Sequence, residues 1–304
     1  MKNKLIIILT MLFSNFYCIN LFAQSDSLLP YPVKNLINPS VCANVQKNTN
    51  GYVFTYQIKN GQGAIKSIHK FMAELNAPVK PFSAPRDWTL WKMDYDTIQV
   101  ATWFSEDSIA DIGVGEIITG FSFESIGLPK ICRCWFSAME IVEGEEGVYN
   151  PATASIFTTS LQRTTLGPVG TPSPFIPLNF IDIISSYKHQ ALALNWIADR
   201  KDEKDDDDDK EDEGQGVVRK LDRRLDNAHK ALIKKDTSKA REEMLKFVKK
   251  VEKLYGESCD HEKNGREKEK YTFTSEAYAL LKYNAEYLIQ QLPEKKHKGE
   301  KEKD

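Results

Sequence analysis

The stretch Val217-Val-Arg-Lys-Leu-Asp-Arg-Arg-Leu-Asp-Asn-Ala228 decides how the chain is read. Val217, Leu221, Leu225, Ala228 and Leu232 recur at steps of three or four residues, which is one face of an α-helix. Arg219, Lys220, Arg223, Arg224, Lys230 and Lys234 fall mostly elsewhere and can stay in water. Asp236–Ser238 then offers N-cap residues for a second helix. Its apolar stripe is Ala240, Met244, Phe247, Val251 and Leu254, widened by Val248 and Tyr255, and Gly256 stands where a C′ glycine would end it. A third helix starts after Thr274, a natural N-cap, with Phe273 and Tyr278 spaced as a hydrophobic staple. Ala277, Leu281, Ala285, Leu288 and Leu292 form its stripe, and Pro293 closes it. Upstream, Phe180, Ile184, Tyr187, Ala191, Leu194 and Ile197 keep helical spacing too, with Trp196 beside them. No amphipathic helix buries its apolar face alone, so a small helical bundle is expected. The acidic run 201–213 separates its first helix from the rest.

The order Leu-Asp-Arg-Arg-Leu-Asp-Asn-Ala (221–228), Lys-Ala-Arg-Glu-Glu-Met-Leu-Lys-Phe-Val-Lys-Lys-Val (239–251) and Thr-Ser-Glu-Ala-Tyr-Ala-Leu-Leu (274–281), ending Tyr-Leu-Ile-Gln-Gln-Leu, resembles the FIMAH domain. That helical module occurs near the end of secreted bacterial multidomain proteins, glycan-acting enzymes among them. The resemblance spans residues 187–292 and departs from the pattern in the acidic insertion and in the charged loop 258–270. It implies an accessory or interaction role and brings no active-site residue.

Ahead of the helices the period changes to two. Tyr52, Phe54, Tyr56 and Ile58 alternate with Val53, Thr55 and Gln57, and Asn60-Gly61 ends the run. Similar runs recur at Ile65–Phe71, Trp88–Lys92, Ile98–Phe104, Glu116–Glu124, Lys130–Glu140 and Ser155–Thr159, divided by prolines and glycines. About seven short strands with no helix between them predict an all-β sandwich. Gly120 within a strand points to a bulge or a close backbone contact. The fold class is thus multidomain, an all-β sandwich followed by a small all-α helical bundle. Its parts are a lead-in over 24–50, the β-sandwich over 51–165, a Pro/Gly linker over 166–178, a helical FIMAH-like domain over 179–293 and a tail over 294–304 without apolar residues.

Met1–Ala23 reads as a signal peptide: Lys2 and Lys4 precede the apolar run Leu5–Phe13, and Leu21-Phe22-Ala23 offers a cleavage site. The apolar run is short for a transmembrane helix, and no second such segment follows, so the chain is expected to be secreted or in the cell envelope. The 304 residues are 41% hydrophobic, enough for packed cores, and the net charge of -2 argues against a nucleic-acid partner.

Candidate chemistry is sparse. Asp205, Asp207 and Asp209 alternate as in an EF-hand loop, but Lys210 and Gly216 stand where that loop needs glycine and glutamate. A solvated acidic loop is the reading, with no metal and no cofactor assigned. Cys42, Cys132, Cys134 and Cys259 are disulfide candidates in an exported chain. Cys132 and Cys134 share a strand face and are poor partners for each other; one is expected to bridge Cys42, leaving the other for Cys259. His69, His189, His229, His261 and His297 include no pair at metal-ligand spacing on one helix, and no nucleophile elbow, P-loop or zinc-protease motif is present. Asp87, Asp94, Asp96 and Glu124 are the carboxylates a glycosidase would draw on. Trp88 and Trp91 lie beside charged residues and are the aromatics most expected to be exposed for stacking on sugar rings. A non-catalytic binding or accessory protein with a glycan or protein partner is the leading reading; a hydrolase sited on the β domain and a purely structural assembly module are the alternatives.

Overall fold

The computed structural model describes residues 36–95, 98–138, 160–199, 216–264 and 271–293. The expected signal peptide, the Ser155–Thr159 strand, the acidic run 201–213 and the tail from 294 lie outside them. Among the described residues nine strands come first: β1 (Pro39–Asn48), β2 (Gly51–Asn60), β3 (Lys70–Leu75), β4 (Val79–Ser83), β5 (Trp88–Tyr95), β6 (Ile98–Ser105), β7 (Ile117–Ser125), β8 (Leu128–Ser137) and β9 (Leu161–Val169). They form two antiparallel sheets, ordered β1-β2-β7-β4 and β5-β6-β3-β8-β9. The alternation in β2 has the predicted effect: Tyr52, Phe54, Tyr56 and Ile58 are all buried. Rings of the two sheets meet in the core, Tyr56 against Phe71 at 5.4 Å and Phe123 stacked on Trp103 at 6.2 Å. The Tyr56 hydroxyl donates to the Leu166 carbonyl at 2.8 Å, which offsets the cost of bringing a phenol into that core.

Several elements depart from expectation. β1 lies within the anticipated lead-in; it is an edge strand that fully buries only Pro39, Ala43 and Val45, so its polar composition hides it. β4 is also an edge strand, which lets it hold Pro81. β9 runs into the anticipated linker, and Gly167 belongs there because a Cβ would come 2.7 Å from Cys132 Sγ. Ile65 sits in a loop and is exposed, and β3 starts only at Lys70. Gly120, at φ 102°, does mark a bulge: Tyr56 pairs with Phe121 but Ile58 pairs with Ile118, so β7 carries an extra residue.

The helices are α1 (Pro177–Ala193), α2 (Val217–Ile233), α3 (Thr237–Asn264) and α4 (Ser275–Gln291), with two short strands, β10 (Ile197–Asp199) and β11 (Tyr271–Phe273), paired antiparallel between them. α1 packs on α2, α2 on α3, α3 on α4 and α4 on α1. Thr274 caps α4 by accepting from the Ala277 N–H, as the sequence predicts. Gly256 does not stop α3. The helix continues to Asn264, with Lys253 and Glu257 3.5 Å apart across the glycine. Ile197 is not helical: Asn195 takes a left-handed φ of 56°, which asparagine tolerates, and the chain turns into β10.

The helices and the sheets are in direct contact, α4 against β1 and β8. Glu276, in the first turn of α4, is buried and accepts from the Ala43 N–H of edge strand β1 at 2.7 Å. Ser275 Oγ donates to the Ala43 carbonyl at 2.9 Å. Asn284 Nδ2 donates to the Pro129 carbonyl of β8 at 2.9 Å, and Tyr283 packs on Tyr52 at 5.2 Å. One hydrophobic core therefore runs from the sheets into the helices.

Candidate functional site

The residues expected to meet a sugar do not form a platform. Trp88 is a core residue, 6% exposed, because its position on β5 turns it inward. Its ring stands edge-on to Phe121 at 5.0 Å and its Nε1 donates to the Ala110 carbonyl at 2.8 Å. Trp91, three residues on, faces outward and is 55% exposed, packed edge-on to Phe104. Among the described residues it is the one aromatic ring among the exposed large hydrophobics. The candidate carboxylates are dispersed too. Asp87 pairs with Arg86 at 3.5 Å, Glu124 accepts from Asn48 at 2.7 Å in the other sheet, Asp94 is exposed on β5, and Asp96 lies outside the described residues.

A serine, a histidine and an aspartate do meet, and sequence reading misses them because they come from three separate segments. His69 Nδ1 lies 3.0 Å from Asp111 Oδ1 and 2.7 Å from Ser105 Oγ, and Ser105 Oγ also donates to Asp111 Oδ1. A hydrolytic triad needs the serine on one ring nitrogen and the carboxylate on the other. Here both crowd Nδ1, and Ser105 is buried. The cluster ties the start of β3 to the end of β6 and to the 3₁₀ turn Ser108–Ala110; it does not assemble a nucleophile.

The cysteine expectation is corrected in part. Cys132 and Cys134 are buried free thiols, so neither bridges Cys42. Burial pushes both thiols up and keeps them protonated. Cys42 Sγ lies 3.6 Å from Ser275 Oγ, and the Cys259 side chain lies outside the described residues.

The strongest concentration of chemistry is a groove between α2 and α3, with a volume of about 460 Å³ and lined by Lys220, Arg223, Arg224, Lys246, Lys249, Lys250 and Lys253. The two helices are antiparallel neighbours joined by a short turn, and each contributes a row at steps of three or four residues, flanking its buried stripe. Glu243 closes the end nearest the turn: it accepts from Arg224 at 3.0 Å and from Lys246 at 2.8 Å. Burial raises the Glu243 carboxyl, but the bonds from Lys246, Arg224 and Asn227 outweigh it and hold the group below the usual carboxylate range. Further along, Lys220, Arg223, Lys249 and Lys250 have no carboxylate within ion-pair distance among the described residues. Lys250 is held below the ordinary lysine range, first by burial and then by repulsion from Lys220, with Glu257 pulling the other way and Lys253 adding a smaller repulsion. Four cations placed this close, none within ion-pair distance of a carboxylate among the described residues, attract an anion. Both rows are present in the sequence at the right spacing; what the sequence does not show is that they face each other.

No family model matches this chain, and no curated protein matches it. Among solved structures it is similar to an uncharacterized protein from Nocardia farcinica described as having an immunoglobulin-like fold, at 12% identity and a TM-score of 0.24, over 43% of this chain and 98% of that one. Among the described residues no helix is long and apolar enough to cross a membrane, and no cluster of metal-binding side chains is found.

Proposed function

We propose that this chain is an exported, non-catalytic binding protein whose partner is a polyanion seated in the α2–α3 groove. On this reading the two sheets are a β-sandwich that carries the helices as an accessory module, in keeping with the FIMAH resemblance. Export rests on the charged and apolar pattern of Met1–Ala23. The observation that carries the binding role is the groove itself, seven cations with four lacking carboxylate partners among the described residues. The Ser105–His69–Asp111 arrangement supports a non-catalytic reading, since its hydroxyl is committed to Asp111.

The test is binding of the purified chain to immobilised dextran sulfate and polyglutamate across a salt series. Four cations engaging a flexible polyanion give a log–log salt slope of about -3. The double variant Lys249→Glu, Lys250→Glu should bind more weakly and with a visibly shallower slope. An unchanged slope, or no binding to either matrix by the parent chain, overturns the proposal.

A further inference from the structure

We infer that the occupant of this groove is a linear polysaccharide bearing an anionic group, carboxylate or sulfate, at sugar-length intervals. The inference rests on the polyanion reading above and goes further by choosing among polyanions. The spacing of the cations is the first argument. On α3, Lys246, Lys249 and Lys253 advance three and then four residues, with Lys250 beside them, which is about 4.5–6 Å per step. On α2, Lys220 is followed by Arg223 and Arg224 at the same step. Packed helix axes stand about 8–10 Å apart, so the two rows form a short ladder. A chain with one charge per sugar meets this ladder rung by rung. The charges of a polyphosphate follow one another more closely than the rungs.

The lining chemistry is the second argument. Every lining side chain is lysine or arginine, which donate hydrogen bonds and accept none. A peptide laid in the groove would find no acceptor there for its backbone N–H groups. A sugar hydroxyl can accept from the lysines and donate to water. No aromatic ring lines the groove, so nucleic-acid bases have nothing to stack on, and a neutral sugar lacks the apolar platform it would need. The groove is large enough for a short length of chain rather than a single ion. The repulsion between Lys220 and Lys250 is relieved by an anionic group placed between them.

The experiment titrates the purified full chain, by calorimetry, with polygalacturonate, dextran sulfate, neutral dextran, inorganic polyphosphate and polyglutamate. Saturable binding of polygalacturonate or dextran sulfate, and no binding of neutral dextran, is expected; which of the two binds tells carboxylate from sulfate. The variant Lys249→Glu, Lys250→Glu should weaken that binding at least tenfold with an unchanged circular dichroism spectrum. The variant Lys59→Glu, Lys92→Glu makes the same change in net charge on exposed strand positions and should stay within about twofold of the parent. Binding of polyphosphate or polyglutamate without either glycan overturns the inference and leaves the polyanion reading standing. Equal weakening in both variants, or silence toward every probe, overturns both.

Discussion

Glu276 joins the two halves of the molecule through one carboxylate oxygen on the Ala43 N–H. Glu276→Ala leaves that buried donor unsatisfied and should cost about 1–3 kcal/mol in urea unfolding, whereas Glu276→Gln keeps an acceptor and should cost less than about 1 kcal/mol. Equal losses in the two variants would show that the bond to β1 is not what matters. Tyr52 belongs to the same interface and gives it a pH dependence. Burial, with help from Glu286, Tyr283 and Tyr287, raises its hydroxyl from 10.0 to about 12. The fold therefore favours the protonated phenol. That contribution is complete below pH 10 and is lost as pH rises from 10 through 12. Thermal midpoints measured on either side of pH 10 should fall less for Tyr52→Phe than for the parent chain. At this scale the sequence informs unevenly. Thr274 is legible as a cap because its partner is three residues away. Trp88 is misread because charged neighbours suggest exposure, while its inward turn depends on where β5 begins. The meeting of His69 with Ser105 and Asp111 spans three segments and leaves no local trace.

The apolar stripes of α2, α3 and α4 are plain in the sequence because helical periodicity is a local property. Their ends are harder to place. Gly256 looks like a stop signal, but its site is open, with nothing within 4 Å of where a Cβ would stand, and its φ is not left-handed. Gly256→Ala should therefore stabilise the protein by up to about 1 kcal/mol, the helix-propensity difference, read as a higher urea midpoint. Destabilisation would mean that the glycine serves a purpose beyond the helix. Edge strands escape notice for the opposite reason. β1 shows the core only a few side chains, β4 contains Pro81, and β9 contains Gly167 and Pro168, so each resembles loop by composition. Central strands such as β2 bury one full face and announce themselves through strict alternation.

For the whole molecule, the change from period-two runs to helical spacing suggests two domains. The contacts that join them lie far apart in sequence: Ala43 with Glu276, Tyr52 with Tyr283, Pro129 with Asn284. A continuous core predicts one cooperative transition. Near-ultraviolet signals, dominated by the aromatic rings between the sheets, should melt together with the far-ultraviolet helical signal. Two separated transitions would show independent domains. The covering of β1 by α4 also bears on how the chain is made. A ribosome delivers residues in order, so β1 emerges more than two hundred residues before the helix that shields its edge. Until Ser275–Gln291 arrives, β1 is an open template for strand pairing with a neighbouring chain. A growing copy thus depends on its own α4, or on a chaperone standing in for it, to stay single.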